Sequence, residues 1–213
     1  MTAAVATTEP TAAEPAPYDG VPSSAPPPPL ERPRVLLVGT IFAIAGITMM
    51  FVGLIAVYLS RRANNLATVG SWLPNDLIIP LTQPNMGFAT LVISVVTMQW
   101  AVVSIKNDDR TNTYLALGTT LLLAFAYIVE MGYLYALIHA DVSTIPGVLI
   151  YAITGAHIAM VISAMVFVIL MGFRALAGDF TSRNHDGITA AAFYWHSMVA
   201  IYALIWISIY VTK

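Results

Sequence analysis

Cysteine is absent from all 213 residues, so disulfide pairing, iron–sulfur ligation and thiolate catalysis are excluded. Charge is almost as scarce: Asp, Glu, Lys and Arg supply 9% of the chain, against roughly a quarter in an ordinary globular domain. A water-soluble fold is excluded with it. There is no Gly-rich phosphate loop, no histidine pair four residues apart around a glutamate, and no basic groove with interleaved aromatics, so nucleotide hydrolysis, zinc-peptidase chemistry and nucleic-acid binding drop out. No histidines stand at the spacing of a three- or four-ligand copper or zinc site, and no metal is expected. An inverted internal repeat, frequent in transporters, is missing. So is the basic start, short apolar stretch and small-residue cleavage site of a secretory signal, which leaves the first apolar run to act as its own insertion signal.

What the chain has is apolar length. It is 58% hydrophobic with a mean hydropathy of +0.78, and a helix needs about 20 mostly apolar residues to cross a bilayer. Residues 1–33 stand apart: they hold nine of the thirteen prolines and no sustained apolar stretch. Such a segment cannot bury enough surface to offset its ordering entropy, and a disordered Pro/Ala-rich tail is expected there, with partner docking as the sharper reading. Residues 34–213 are expected to form an all-α, polytopic bundle of five transmembrane helices. Hydropathy places the spans at about Val35–Leu59, Leu77 or Pro84 to Ile105, Thr113–His139, Pro146–Ala175 and Ile188–Val211. With the N-terminus inside, Arg32, Arg34, Lys106, Arg110, Arg174 and Arg183 fall on the cytoplasmic side, and Arg61, Arg62 and Lys213 on the other. Six against three favours N-in, C-out.

Small and hydroxylated residues are expected to mark the packed faces. Gly39, Gly46 and Gly53 recur every seven residues, with Ala43 among them, a stripe along which a neighbouring backbone can approach. Gly87, Thr90, Ser94 and Thr97 step by three or four, and hydroxyls so placed bond to the preceding turn or across a helix pair.

Ionisable groups within spans carry the functional question. Glu130 is the one acid clearly inside a span, with Tyr127 and Tyr133 at helical spacing as candidate donors. A carboxylate there is protonated, paired, or open to a wet cavity; structural pairing and proton or lipid-headgroup handling both stand as readings. His157 continues a polar stripe from Tyr151 and Thr154. His157 and His196, on different spans, are the minimum for bis-histidine haem ligation, although isolated intramembrane histidines more often bond across helices. His139 and Asp141 read as a solvated loop edge.

The segment FYWHSMVAIYALIWISIY resembles the closing helix of haem–copper (cytochrome c) oxidase subunit III, through Tyr194, Trp195, His196, Trp206, Ile209 and Tyr210. TGAHIAMVI, Thr154 to Ile162, is similar to that family's Thr-Gly-x-His-x-x-His-Val segment. GYLY at 132–135, TIPG at 144–147 and FVGLIAVYLSRRAN at 51–64 follow in the same collinear order. The resemblance spans residues 34–213 and is to the short, five-helix bacterial form. Four departures accompany it: Gly46 and Ile47 replace a Ser-Glu pair, Met160 a second histidine, Val199 an aspartate, and Leu134 an acid between two tyrosines. In the family these polar groups are linked to lipid binding or proton supply. Glu130, one turn before Leu134, is placed to replace part of what is lost.

The resemblance implies a noncatalytic subunit of an aa3-type oxidase in the bacterial plasma membrane, stabilising catalytic subunit I and contacting the other oxidase subunits. Haem and copper are expected in those partners and none in this chain; phospholipid is the expected ligand. A respiratory supercomplex is a further candidate partner. The implied lipid-binding or packing residues are His157, Tyr194, Trp195 and His196, and the proton-handling candidate is Glu130. No catalytic residue is assigned. Alternatives are an accessory subunit of a quinol oxidase or nitric-oxide reductase, or a small transporter or channel subunit, which would need a polar face continuous through several spans.

Overall fold

A computed structural model describes residues 34–73, 79–138 and 141–212. The expected tail, His139 and the early start of the second span at Leu77 lie outside the described residues. Five helices account for nearly all the rest: α1 Val35–Val69, α2 Thr82–Lys106, α3 Arg110–Ile138, α4 Ile145–Leu176 and α5 Asp186–Ile205, the last continuing through a π-helical segment, Trp206–Val211. All five are long and apolar enough to cross a membrane, and among the described residues the β-type pairing is an isolated bridge between Thr181 and Asn184. The chain is an all-α, multi-pass membrane protein.

Helix ends follow local chemistry. α1 runs ten residues beyond its expected end at Leu59, because nothing in SRRANNLATV breaks a helix before Gly70. Apolar length marks where hydrocarbon ends, not where the helix does. Gly70 then adopts φ 79°, the left-handed region open to glycine, and its N–H caps the Leu66 carbonyl. α4 begins where Thr144 turns extended and its Oγ1 accepts the Gly147 N–H at 3.2 Å, with Pro146 in the first turn. A Cβ on Gly147 would collide with the Asp141 carbonyl, so this tight entry requires glycine.

The short connections are built around aspartates. Asp109 accepts the Asn112 N–H at 3.1 Å and the Asn112 amide at 2.6 Å, capping α3. Asp141 does the same for the backbone and hydroxyl of Ser143. Asp108, at φ 55°, reaches the other loop of the same end of the bundle and accepts the Ser182 N–H at 2.7 Å. Hydrogen bonds from Ser182, Asn112 and Ser143 hold Asp108, Asp109 and Asp141, respectively, below the usual carboxylate range.

α2 packs along α3, and α5 packs against α1, α2 and α4. Over its apolar stretch α5 is the most enclosed helix and α1 the least. The glycine stripe of α1 does not serve close packing within this chain: a Cβ at Gly39, Gly46 or Gly53 would meet nothing within 4 Å. The stripe faces outward because α1 meets the bundle through Thr40, Phe51 and Tyr58 instead.

Candidate functional site

The polar residues singled out from the sequence fall mainly on the inward faces of α2 to α5. His157, fully buried on α4, is the hub. Its Nε2 lies 3.1 Å from the Met198 carbonyl of α5 and its Nδ1 3.0 Å from the Tyr127 hydroxyl of α3. A carbonyl can only accept, so Nε2 carries the proton and Nδ1 accepts from Tyr127. Both ring nitrogens are thereby committed, and three helices are tied at one imidazole. The rings of Phe51, Tyr127 and Tyr202 enclose it, with centroids at 6.2, 5.7 and 5.1 Å.

This hub needs close access to α2. Gly87 provides it: a Cβ there would press on the Tyr127 ring at 3.3 Å and the Tyr202 hydroxyl at 3.4 Å. Tyr202 in turn donates to the Pro84 carbonyl at 3.2 Å, fastening α5 to the start of α2.

Trp195 and Tyr194 fasten other seams. The fully buried Trp195 indole donates to Ser94 Oγ on α2 at 2.9 Å, and Ser94 donates to the Leu91 carbonyl at 2.6 Å. Ser163 gives its proton to the Met160 carbonyl, which leaves the Tyr194 hydroxyl, 2.7 Å away, as the donor to Ser163. Around them, Tyr135 donates to Thr154 at 2.7 Å, Thr97 and Thr120 pair across α2 and α3 at 2.7 Å, and Trp206 donates to Asn85 at 2.8 Å while stacking on Phe88. The hydroxyl stripe of α2 therefore bonds as expected, both to its own preceding turn and across helices.

Glu130 departs from expectation in its partners. Tyr127 is taken by His157 and Tyr133 points outward, so neither tyrosine reaches it. Thr90 of α2 donates to Oε1 at 3.3 Å, and Oε2 is shielded without a hydrogen-bond partner. Thr90 lies on α2, the helix that packs directly along α3, which brings its hydroxyl to the carboxyl group. His196 does not meet His157. It is half-buried against α2 beside the Val95 carbonyl, and its Nε2 is shielded without a partner. The hub bonds the α5 backbone at Met198, while His196 faces Val95 of α2, so the two histidines serve different seams.

The four positions where family acids or histidine were expected are occupied in keeping with their apolar character: Met160, Val199 and Leu134 are buried in the core and Ile47 packs against it. Among the described residues no three His, Asp or Glu side chains converge to hold a metal ion. Sequence reasoning missed Tyr58 and Trp72, joined at 3.0 Å near the end of the α1 span, and the Tyr127–Tyr202 pair, with centroids 5.2 Å apart. Their spacing carries no signal, because each pair joins residues from different elements.

These contacts define a five-helix membrane protein whose interior polar groups are spent largely on joining helices. The model of the family described as cytochrome c oxidase subunit III matches residues 33–213. Cytochrome c oxidase subunit 3 of Salmo salar is 31% identical over 176 residues, covering 81% of this chain and 67% of that protein. The counterparts in Pelomedusa subrufa, 32% over 177 residues, and Bos taurus, 30% over 176, cover the same shares. The chain belongs to the cytochrome c oxidase subunit III family. That membership places it in the respiratory chain, in a complex with other oxidase subunits.

Proposed function

We propose that this chain is a noncatalytic subunit III of an aa3-type cytochrome c oxidase in a bacterial plasma membrane, with its N-terminus cytoplasmic. In this reading it braces catalytic subunit I, binds phospholipid through the region of His157, Tyr194, Trp195 and His196, and carries no haem or copper of its own. The observation that carries the reading is the double commitment of His157. A haem ligand must offer a free imidazole nitrogen, and both nitrogens here already serve α3 and α5. The mutual pairing of the interior hydroxyls also leaves little polar surface for a transport path, which argues against a channel subunit. The orientation is supported by the basic-residue bias, six against three.

Purification in mild detergent, with mass spectrometry and a reduced-minus-oxidised spectrum, tests it. Copurification of a haem a-bearing subunit with a colourless polypeptide of this sequence is expected; a bis-histidine spectrum on the isolated chain would overturn the reading. Glu130, half-buried with one oxygen unpartnered, is the proposed proton-handling group. Glu130→Gln is expected to slow proton uptake or hasten turnover-dependent inactivation of the assembled complex, and unchanged turnover would remove that role.

A further inference from the structure

Helices α3 and α4 leave a groove of about 280 Å³ between them, open along the surface of the bundle. It exists because both helices place glycine there. A Cβ at Gly118 or Gly172 would meet nothing within 4 Å, while Leu117, Leu121, Val168 and Phe173 form apolar walls. The groove follows the helix axes for about 10 Å, two turns from Tyr114 to Leu121. At its mouth the Tyr114 hydroxyl donates to the Ala175 carbonyl at 3.0 Å, so the two helices are joined there while remaining apart further in. An apolar slot that runs along the helices from the end of a span has the direction and chemistry of an acyl chain.

Charge at the mouth selects the lipid. The Arg110 guanidinium reaches from the start of α3 over the end of α4, with Nη1 3.8 Å from the place a Cβ on Gly178 would occupy. The carboxylates of that end are engaged elsewhere: Asp179 pairs with Arg174 at 3.1 Å, Asp108 accepts from Ser182 and Asp109 from Asn112. Arg110 acts on the charge of Asp108 but stands beyond ion-pair distance, and among the described residues neither Arg110 nor Lys106 has a salt-bridge partner. A cation held over the open end of a hydrocarbon slot suits a phosphate ester.

We propose that the α3–α4 groove seats one acyl chain of an anionic phospholipid whose phosphate is held at Arg110. The groove shares no residue with the region of His157, Tyr194, Trp195 and His196, so this is a second lipid position, and it rests on the reading of the chain as a lipid-binding oxidase subunit. The test uses the oxidase complex in nanodiscs of equal phosphatidylglycerol and phosphatidylcholine, followed by re-extraction and a mass-spectrometric count of retained lipid. The native complex is expected to retain phosphatidylglycerol over phosphatidylcholine by about fivefold at this site. Gly172→Leu, which fills open space, is expected to retain one phospholipid fewer, with Gly118→Leu as the second groove-filling variant. Arg110→Gln should keep the count and lose the preference. Unchanged count and preference across these variants would overturn the proposal, and so would loss of a neighbouring subunit from Gly172→Leu at constant lipid count, which would mark the groove as a protein interface. If the chain purifies apart from oxidase subunits, the functional reading fails while the lipid count on the chain still decides the groove.

Discussion

Helix α1 is the most apolar of the five and the least enclosed, with 11% of its apolar window buried; α5 is the least apolar and the most enclosed, at 61%. In water this order would be paradoxical. In a bilayer it is expected, because lipid tails solvate Val38, Phe42 and Met49 as well as a protein interior would, and burial goes instead to helices with something specific to bond. α5 offers Tyr194, Trp195, Tyr202 and Trp206, each with a partner on another helix. α1 offers a glycine stripe with nothing against it.

The largest test of that contrast is Trp195→Ala. Removing a fully buried indole is expected to cost about 3–5 kcal/mol and leave Ser94 without its donor, seen as loss of the folded subunit in thermal unfolding of the purified complex. Trp195→Phe should recover most of the packing and forfeit about 0.6–1.7 kcal/mol for the hydrogen bond. His157→Ala comes next. It breaks the joint of α3, α4 and α5 and strands the Tyr127 hydroxyl, with an expected cost of about 1–3 kcal/mol in the same measurement.

Acidification probes the loops rather than the helices. The folded Asp108 has a lowered pKa, so its contribution is complete above the unfolded value near 3.8 and fades as pH falls through the lower folded value. Asp108→Asn is expected to flatten this acid limb, read as hydrogen exchange at the Ser182 amide, without moving stability at neutral pH by a measurable amount. The smallest effect belongs to α1: Gly46→Leu enters open space and should shift stability by less than about 0.5 kcal/mol. If it instead prevents assembly with the other oxidase subunits, the stripe is an interface between chains, and the exposed helix is functionally the more constrained of the two.

The helices themselves were legible because each is an apolar run longer than a bilayer is thick, and the α2 hydroxyl stripe was legible because three- and four-residue steps share a face. Candidate residues were legible as types: a histidine, a carboxylate and a tryptophan in hydrocarbon each demand a partner. Which partner each would take was not. Tyr127 lies three residues before Glu130 and reads as its donor, but the hydroxyl turns to His157, thirty positions on, and the carboxylate takes one hydrogen bond from Thr90 of the neighbouring helix instead. His157 and His196 read alike in sequence, and the packing of α3 and α5 around α4 gives one two partners while the other's Nε2 has none.

Composition and periodicity alone determined that this protein lives in a membrane, crosses it as five helices, and has no thiol chemistry. Hydrocarbon imposes those outcomes on any chain so apolar, since its backbone must satisfy its own hydrogen bonds. Only the tertiary structure decided that α5 is central and α1 peripheral, that His157 is a joint with no free nitrogen, and that α3 and α4 part around two glycines. These depend on which helix faces meet, and helices equally comfortable in lipid choose their neighbours by a few hydrogen bonds and by shape.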